Sequence, residues 1–134
     1  MKKGNVIHTS GKRKRSVARA TLKKGNGKIK VNNQLLEVYG NEINRLKIME
    51  PLVLAGEDIT KKINIEVNVF GGGVNGQADA SRLAIARALV EYDSKLEKEF
   101  ERDDRLLLVA DVRRKEPNKP NISKARKKRQ FSKR

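Results

Sequence analysis

Apolar positions alternate most regularly in INIEVNVF, residues 63–70, where Ile63, Ile65, Val67 and Val69 share one face and Asn64, Glu66 and Asn68 the other. A period of two predicts a strand packed on one side. Alternation also runs through SVARATLKKGNGKIKVNN, residues 16–33, with Ala18, Ala20 and Leu22 before Gly25-Asn26-Gly27 and Ile29 and Val31 after it. This predicts a hairpin with one buried face, whose other face projects Arg19, Lys28 and Lys30 together. Past residue 70 the period changes: Ile85, Leu89, Tyr92, Leu96 and Phe100 recur at helical steps, with a break near Asp93-Ser94. Upstream, Asn41 is placed to cap a short helix carrying Ile43, Leu46 and Met49. Pro51 fits the first turn of a second helix, PLVLA, stopped by Gly56. The expected fold class is α+β in two layers, a mostly antiparallel sheet with helices on one face. Residues 1–112 form the globular part and residues 113–134 a basic tail outside it.

Length and charge sharpen this picture. A chain of 134 residues with 37% hydrophobic content supports one core rather than two. The net charge of +16 points to a polyanionic partner, nucleic acid first. Residues 1–30 carry +11 and residues 113–134 carry +10, whereas residues 31–112 carry −5. Blocks of like charge are ordinarily solvated and disordered until a partner neutralises them, which predicts loose ends around a folded body. The longest apolar run, LLLVA at 106–110, is far below a membrane-spanning length, and no apolar segment follows the basic start in the manner of a signal peptide. Without cysteine there is no disulfide framework and no thiolate metal site.

GGGVNG, in which Gly71, Gly73 and Gly76 satisfy G-x-G-x-x-G between strand and helix, raises a dinucleotide-binding enzyme as a rival reading. That fingerprint needs a second parallel strand ending in an acidic residue about 20 residues on. At that distance stand Glu91, Asp93 and Glu97, inside the helical stripe. A turn requiring glycine, or backbone amides of Gly72 and Gly73 approaching an RNA phosphate at a helix N-terminus, fits better. His8 is the sole histidine and has no partners for a triad or a zinc site. No catalytic residue, cofactor, metal or small-molecule substrate is therefore expected. An architectural DNA-binding protein also uses basic arms, but Phe131 is the single wedge candidate and no dimer seam is legible.

GKRKRSVARATLKKGNGKIKVNN (11–33), FGGGVNGQADASRLAIARALVEYD (70–93) and QFSKR (130–134) together resemble the universal small-subunit ribosomal protein nine family. Three separated matches in the right order cover nearly the whole chain. VADVRRKEPNKP (109–120) resembles archaeal and eukaryotic members and the QFSKR ending bacterial ones, a mixture expected of an archaeal member. The resemblance implies a two-layer α/β sandwich like the second domain of ribosomal protein five, with a left-handed βαβ crossover. It further implies a cytoplasmic, ribosomal location in the small-subunit head, bound to ribosomal RNA beside neighbouring head proteins. The extreme C-terminus, here Ser132, Lys133 and Arg134, would then touch the anticodon stem-loop of the peptidyl-site tRNA.

The expected ribosomal-RNA surface comprises Lys12, Arg13, Lys14, Arg15, Arg19, Lys28 and Lys30 on the hairpin and Gly72 and Gly73 in the loop. Arg113, Arg114 and Lys115 at the tail root join it, as do Lys124, Arg126, Lys127, Lys128 and Arg129 along the tail. Pro117 and Pro120 disfavour helix and predict an extended exit. Nineteen extended residues from Glu116 to Arg134 reach roughly 65 Å.

Overall fold

The computed structural model describes residues 6–129 and Ser132. Five strands form one sheet: β1 (Ile7–Arg13), β2 (Ser16–Lys24), β3 (Ile29–Val31), β4 (Gln34–Leu35) and β5 (Ile63–Phe70), in the order β1-β2-β5-β3-β4. All neighbours are antiparallel except β3 and β5, which run parallel. The strand predicted over 63–70 is therefore the centre of the sheet, with Ile63, Ile65, Val67 and Val69 buried.

The predicted hairpin of residues 16–33 does not form. β2 and β3 are not neighbours, because β5 lies between them. On an edge, β5 would leave the most regular apolar face in the chain half covered; at the centre it is flanked on both sides. The loop between β2 and β3 crosses over its end instead. Asn64 Oδ1 accepts from the backbone N–H groups of Asn26, Gly27 and Lys28 at 3.0, 3.1 and 3.0 Å. On the far side, the Asn32 side chain accepts from Val69 N–H at 2.8 Å and donates to its carbonyl at 3.2 Å, extending the β3–β5 pairing.

The N-terminal block, expected to be loose, contributes β1 as an edge strand. Its only large buried hydrophobe is Ile7, so hydrophobic patterning does not reveal it. Close approach to a helix holds it instead. A Cβ on Gly11 would stand 2.3 Å from the Ala80 carbonyl oxygen, and the Thr9 hydroxyl donates to the Ala84 carbonyl at 2.8 Å. The Arg87 guanidinium donates to the Ser10 carbonyl at 2.9 Å.

That helix is α3 (Val74–Tyr92), which covers β1, β2 and β5. It stops at Asp93, and α4 (Leu96–Asp103) follows, the break occurring where the stripe predicts it. Phe100 and Leu107 complete the core. α1 (Glu42–Ala55) packs beside α3, and the short α2 (Glu57–Thr60) follows Gly56, whose φ of 89° ends α1. Asn41 caps α1 as expected, its Oδ1 accepting from Asn44 N–H at 2.9 Å.

One feature of α1 differs from expectation. It is one helix with Pro51 inside it, not two short ones. Proline deprives the Lys47 carbonyl of its helical donor, and burial of the ring against the core offsets that loss. The buried face is Asn44, Ile48, Pro51 and Leu52, whereas Ile43, Leu46 and Met49 are exposed. All the helices lie on one side of the sheet. The other side is solvent-facing and presents His8, Lys12, Arg19, Lys23, Glu66, Asn68 and Phe70.

Beyond Val109 the described residues contain no helix or strand. The exit is not straight. Glu116 ion-pairs with Lys119 at 2.5 Å and Arg126 at 2.7 Å, and Asn121 adopts φ 67°, so residues 116–126 fold into a loop. The Glu116 carboxylate holds Lys119 and Arg126 together, and Pro117 and Pro120 do not keep the chain from turning back.

Candidate nucleic-acid interface

Three distant segments meet at one end of the sheet. The β1–β2 turn brings Lys14, with φ 54°, and Arg15 outward. The glycine loop that ends β5 lies beneath them, and the root of the tail runs alongside. Arg13 to Ser16, Gly72 to Gly76 and Arg114 to Asn118 line a common cleft of about 980 Å³. Lys14, Arg15, Arg114 and Lys115 are exposed on its rim.

Each glycine in the loop has its own reason. Gly71 and Gly72 have φ of 76° and 60°, and a Cβ on Gly72 would stand 2.1 Å from Ser16 Oγ. These two serve the turn and its fit against the hairpin. The buried Ser16 hydroxyl donates to the Gly71 carbonyl at 3.1 Å, fixing the loop to the hairpin. Gly73 is different: its φ is −110°, and a Cβ there meets nothing within 4 Å. It is the N-cap of α3 and supplies no side chain to the first-turn amides. Those amides and the positive end of a 19-residue helix face the cleft, a geometry suited to a phosphate oxygen.

The dinucleotide reading fails on topology. Among the described residues the only parallel neighbour of β5 is β3, which precedes it, and α3 leads into α4 rather than into a second parallel strand. Among the described residues there is also no cluster of three or more acidic or histidine side chains placed to hold a metal.

The remaining predicted positions do not form one surface. Arg13 points inward, its Nη1 donating to the Arg113 carbonyl at 3.0 Å and its guanidinium lying 3.5 Å from Asp111 and 3.8 Å from Asp79. It fastens the tail to the body and is not a free cation. Arg113 is itself paired with Asp111 at 2.6 Å, and this pairing holds the Asp111 carboxyl far below the usual range. Lys12 and Arg19 are exposed on the outer face of the sheet, but Lys30 is half-buried beyond β5, in register with Glu66. Lys28 lines a separate cleft against α1 and α2. Inserting β5 has thus split the expected cluster of Arg19, Lys28 and Lys30. Along the tail, Lys124, Lys127, Lys128 and Arg129 are exposed and Arg126 is held by Glu116. Ser132 is exposed, and Lys133, Arg134 and Phe131 lie outside the described residues.

Two contributors escaped the sequence reading. Ser16 gives no signal short of the fold. Phe70 does: it has the parity of Asn64, Glu66 and Asn68 on β5, an aromatic on a solvated face. It is 52% exposed with the Arg19 guanidinium 5.7 Å above its ring, a cation stacked on an aromatic beside open solvent.

A one-sided sheet with a cationic rim beside the N-terminus of a long helix presents a surface suited to a polyanion. The sequence matches the family described as ribosomal protein S9/S16 over residues 11–134. The chain is 52% identical over 124 residues to the small ribosomal subunit protein uS9 of Picrophilus torridus, covering 91% of this chain and 92% of that protein. It is 46% identical over 120 residues to the uS9 of Methanococcus maripaludis strain C7, covering 88% and 89%. Both relatives are archaeal, as the mixed signature predicts. The chain belongs to the ribosomal protein S9/S16 family, and with that membership it is a structural protein of the cytoplasmic ribosome.

Proposed function

We propose that this protein is a structural constituent of the small ribosomal subunit that docks ribosomal RNA of the head at the cleft shared by the β1–β2 turn, the glycine loop and the tail root. From there it carries its C-terminus to the peptidyl-site tRNA. The observation that supports the docking site is the convergence of Lys14, Arg15, Arg114 and Lys115 around the uncapped N-terminus of α3. Fixed cations around exposed amides match the spacing of phosphates in a way that loose charge does not. Lys12 and Arg19 extend the same positive surface onto the outer sheet face, and Lys124 to Arg129 neutralise RNA along the tail's path. Ser132, Lys133 and Arg134 are the groups delivered to tRNA, with the guanidinium supplying a planar fork for phosphate oxygens. Sucrose-gradient fractionation tests the assignment. Co-sedimentation with the small subunit through a high-salt wash is expected, and release into the free or DNA-bound fraction contradicts it.

A further inference from the structure

Phe70 shares the outer face of β5 with Asn64, Glu66 and Asn68 and is 52% exposed, whereas Phe100 and Tyr39 are buried and Tyr92 packs against the core. One exposed apolar side chain is ordinary on a protein surface and by itself marks nothing. Phe70 has two further properties. The Arg19 guanidinium lies 5.7 Å over its ring, and among the described residues no carboxylate pairs with that guanidinium. The ring also stands at the end of the sheet that carries the cationic cleft. Phe70 is in register with Val17, and a Cβ on the next residue, Gly71, would stand 2.5 Å from the Arg15 carbonyl oxygen.

The surroundings select the occupant. Glu66 is the only acidic residue in the five described strands; it lies one row beyond Asn68 on this face, in register with Lys30. Lys12 is in register with Val17 on the edge strand and also borders Asp79 and Asp111. The positive charge nearest the ring is therefore that of Arg19, with Lys14 and Arg15 exposed on the adjoining rim. Apart from half-buried Val17, the neighbours of Phe70 on this face are polar, so there is no contiguous apolar patch for a protein partner to bury. A flat ring under a guanidinium, beside cations, fits a nucleic-acid base. Within RNA, paired bases are stacked inside the helix, so a ring on an open sheet meets a base where the strand is unpaired.

We propose that the Arg19–Phe70 pair is a stacking site for an unpaired RNA base, next to the rim that holds the phosphates of the same strand. The inference rests on the RNA docking set out under Proposed function and adds to it the kind of RNA engaged, a bulge, loop or single-stranded segment rather than continuous duplex. Stacking on the ring tolerates any base, and the guanidinium adds a cation–π contribution.

The chain contains no tryptophan, so Phe70→Trp installs a single fluorescent indole at the site. The full-length variant is titrated with an oligouridylate strand and with an RNA duplex of equal length. Emission is expected to be quenched by the strand and to change little with the duplex, although both bind the rim. Equal quenching by the two, or binding of the strand with unchanged emission, overturns the proposal. Phe70→Leu keeps an apolar side chain without the ring and provides an independent measure. Its affinity for the strand should fall about tenfold with an unchanged salt slope, because no phosphate contact is removed. Wild-type affinity in that variant contradicts the proposal. In assembled small subunits, benzoylphenylalanine in place of Phe70 is expected to form its adduct with an RNA base, and an adduct to a protein overturns the assignment. If neither RNA binds the full-length protein, the docking reading under Proposed function has failed as well; binding without stacking defeats this inference alone.

Discussion

The Arg13 guanidinium donates to the main-chain carbonyl of Arg113 at 3.0 Å, joining two residues 100 positions apart. The contact links the β1–β2 hairpin to the root of the tail, and Asp111 and Asp79 border the same guanidinium. Removing it should free the tail root while leaving the sheet and α3 intact, because Arg13 contributes no large apolar surface to the core. Arg13→Ala is expected to speed tryptic cleavage at Arg113, Arg114 and Lys115 at least several-fold. A charge-assisted hydrogen bond of this kind contributes about 1.5–3 kcal/mol. Hydrogen exchange at residues 109–116 should rise in the variant with no change at Ile63 to Phe70, and equal exchange in both proteins would assign the tail root some other anchor.

The glycine loop yields a pair of substitutions with opposite outcomes. Gly72→Ala places a Cβ onto Ser16 Oγ at a backbone φ of 60°, and both the clash and the left-handed backbone destabilise the fold. A loss of about 1–3 kcal/mol is expected in denaturant titration. Gly73→Asp enters open space at the N-cap of α3, where a carboxylate accepts from first-turn amides and complements the helix dipole. It should leave stability unchanged or raise it by a few tenths of a kcal/mol. RNA affinity should nonetheless fall, since the same amides are then occupied and a negative charge faces the phosphate. Filter binding with head-domain RNA, alongside thermal melts, separates the two effects; tight RNA binding by Gly73→Asp would show that the amide cradle is not used.

Acid should weaken the carboxylate pairs of the tail and of the body only below the ordinary carboxylate range. Asp111 is lowered by its hydrogen bonds from Arg113, and Glu116 by its contacts with Arg126 and Lys119. Asp104 is lowered by the Leu106 N–H and by Arg82. A carboxylate with a depressed folded pKa contributes stability above its unfolded pKa, and that contribution is lost as pH falls through the folded value. Unfolded Asp and Glu titrate near about 3.9 and 4.3, so stability from these groups should hold from neutral pH to that range and decline below it. Glu50 acts in the opposite sense, its pKa raised first by burial, so its contribution weakens as pH rises. Asp111→Asn should flatten the decline below pH 4 when unfolding free energy is measured against pH. A parallel curve for the variant would remove Asp111 from the acid response.

How much of this was legible in the chain follows from what each element rests on. β5 and α3 were readable because each buries one face against one layer, so the period of the sequence is the period of burial. β1 was not, because it is held by Gly11 against Ala80, by Arg87 donating to the Ser10 carbonyl and by Thr9 donating to the Ala84 carbonyl, none of which leaves an apolar pattern. The buried face of α1 was not legible for a related reason. Its buried side includes Asn44 and Pro51, residues that ordinarily mark a surface or a helix start, while its apolar stripe lies outside. At the site, the basic and glycine motifs were visible individually. Their meeting at one cleft depends on Ser16 and on Arg13 reaching the tail, which only the fold reveals.

Salt dependence should identify the cations that meet RNA. Each phosphate neutralised adds about 0.7 to 0.9 to the slope of log affinity against log salt. Replacing Lys14, Arg15 and Lys115 by Gln should therefore flatten the slope by roughly two. The same number of substitutions at Lys61, Lys95 and Lys98, away from the rim, should leave it unchanged. If the two triple variants behave alike, binding follows overall charge and the rim has no special place.

The ion pairs of Glu116 shorten the tail. With Arg126 drawn back to Glu116, the eight residues from Lys127 to Arg134 could span at most about 27 Å at the extended rise per residue. Ribosomal RNA phosphates compete with one carboxylate for Arg126 and Lys119, so binding along the tail should open the loop and lengthen its reach toward the roughly 65 Å of the full segment. Delivery of the terminus to tRNA would then follow docking of the body. Deleting Ser132 to Arg134 should leave co-sedimentation with the small subunit intact while weakening peptidyl-site tRNA, by about 1–3 kcal/mol if two charge-assisted contacts are lost. Glu116→Gln removes the competing carboxylate without touching the terminus, and it should leave tRNA affinity equal or slightly higher. Dissociation of tRNA from programmed small subunits measures both. A truncated protein that holds tRNA as long as the full chain would restrict the tail to scaffolding ribosomal RNA.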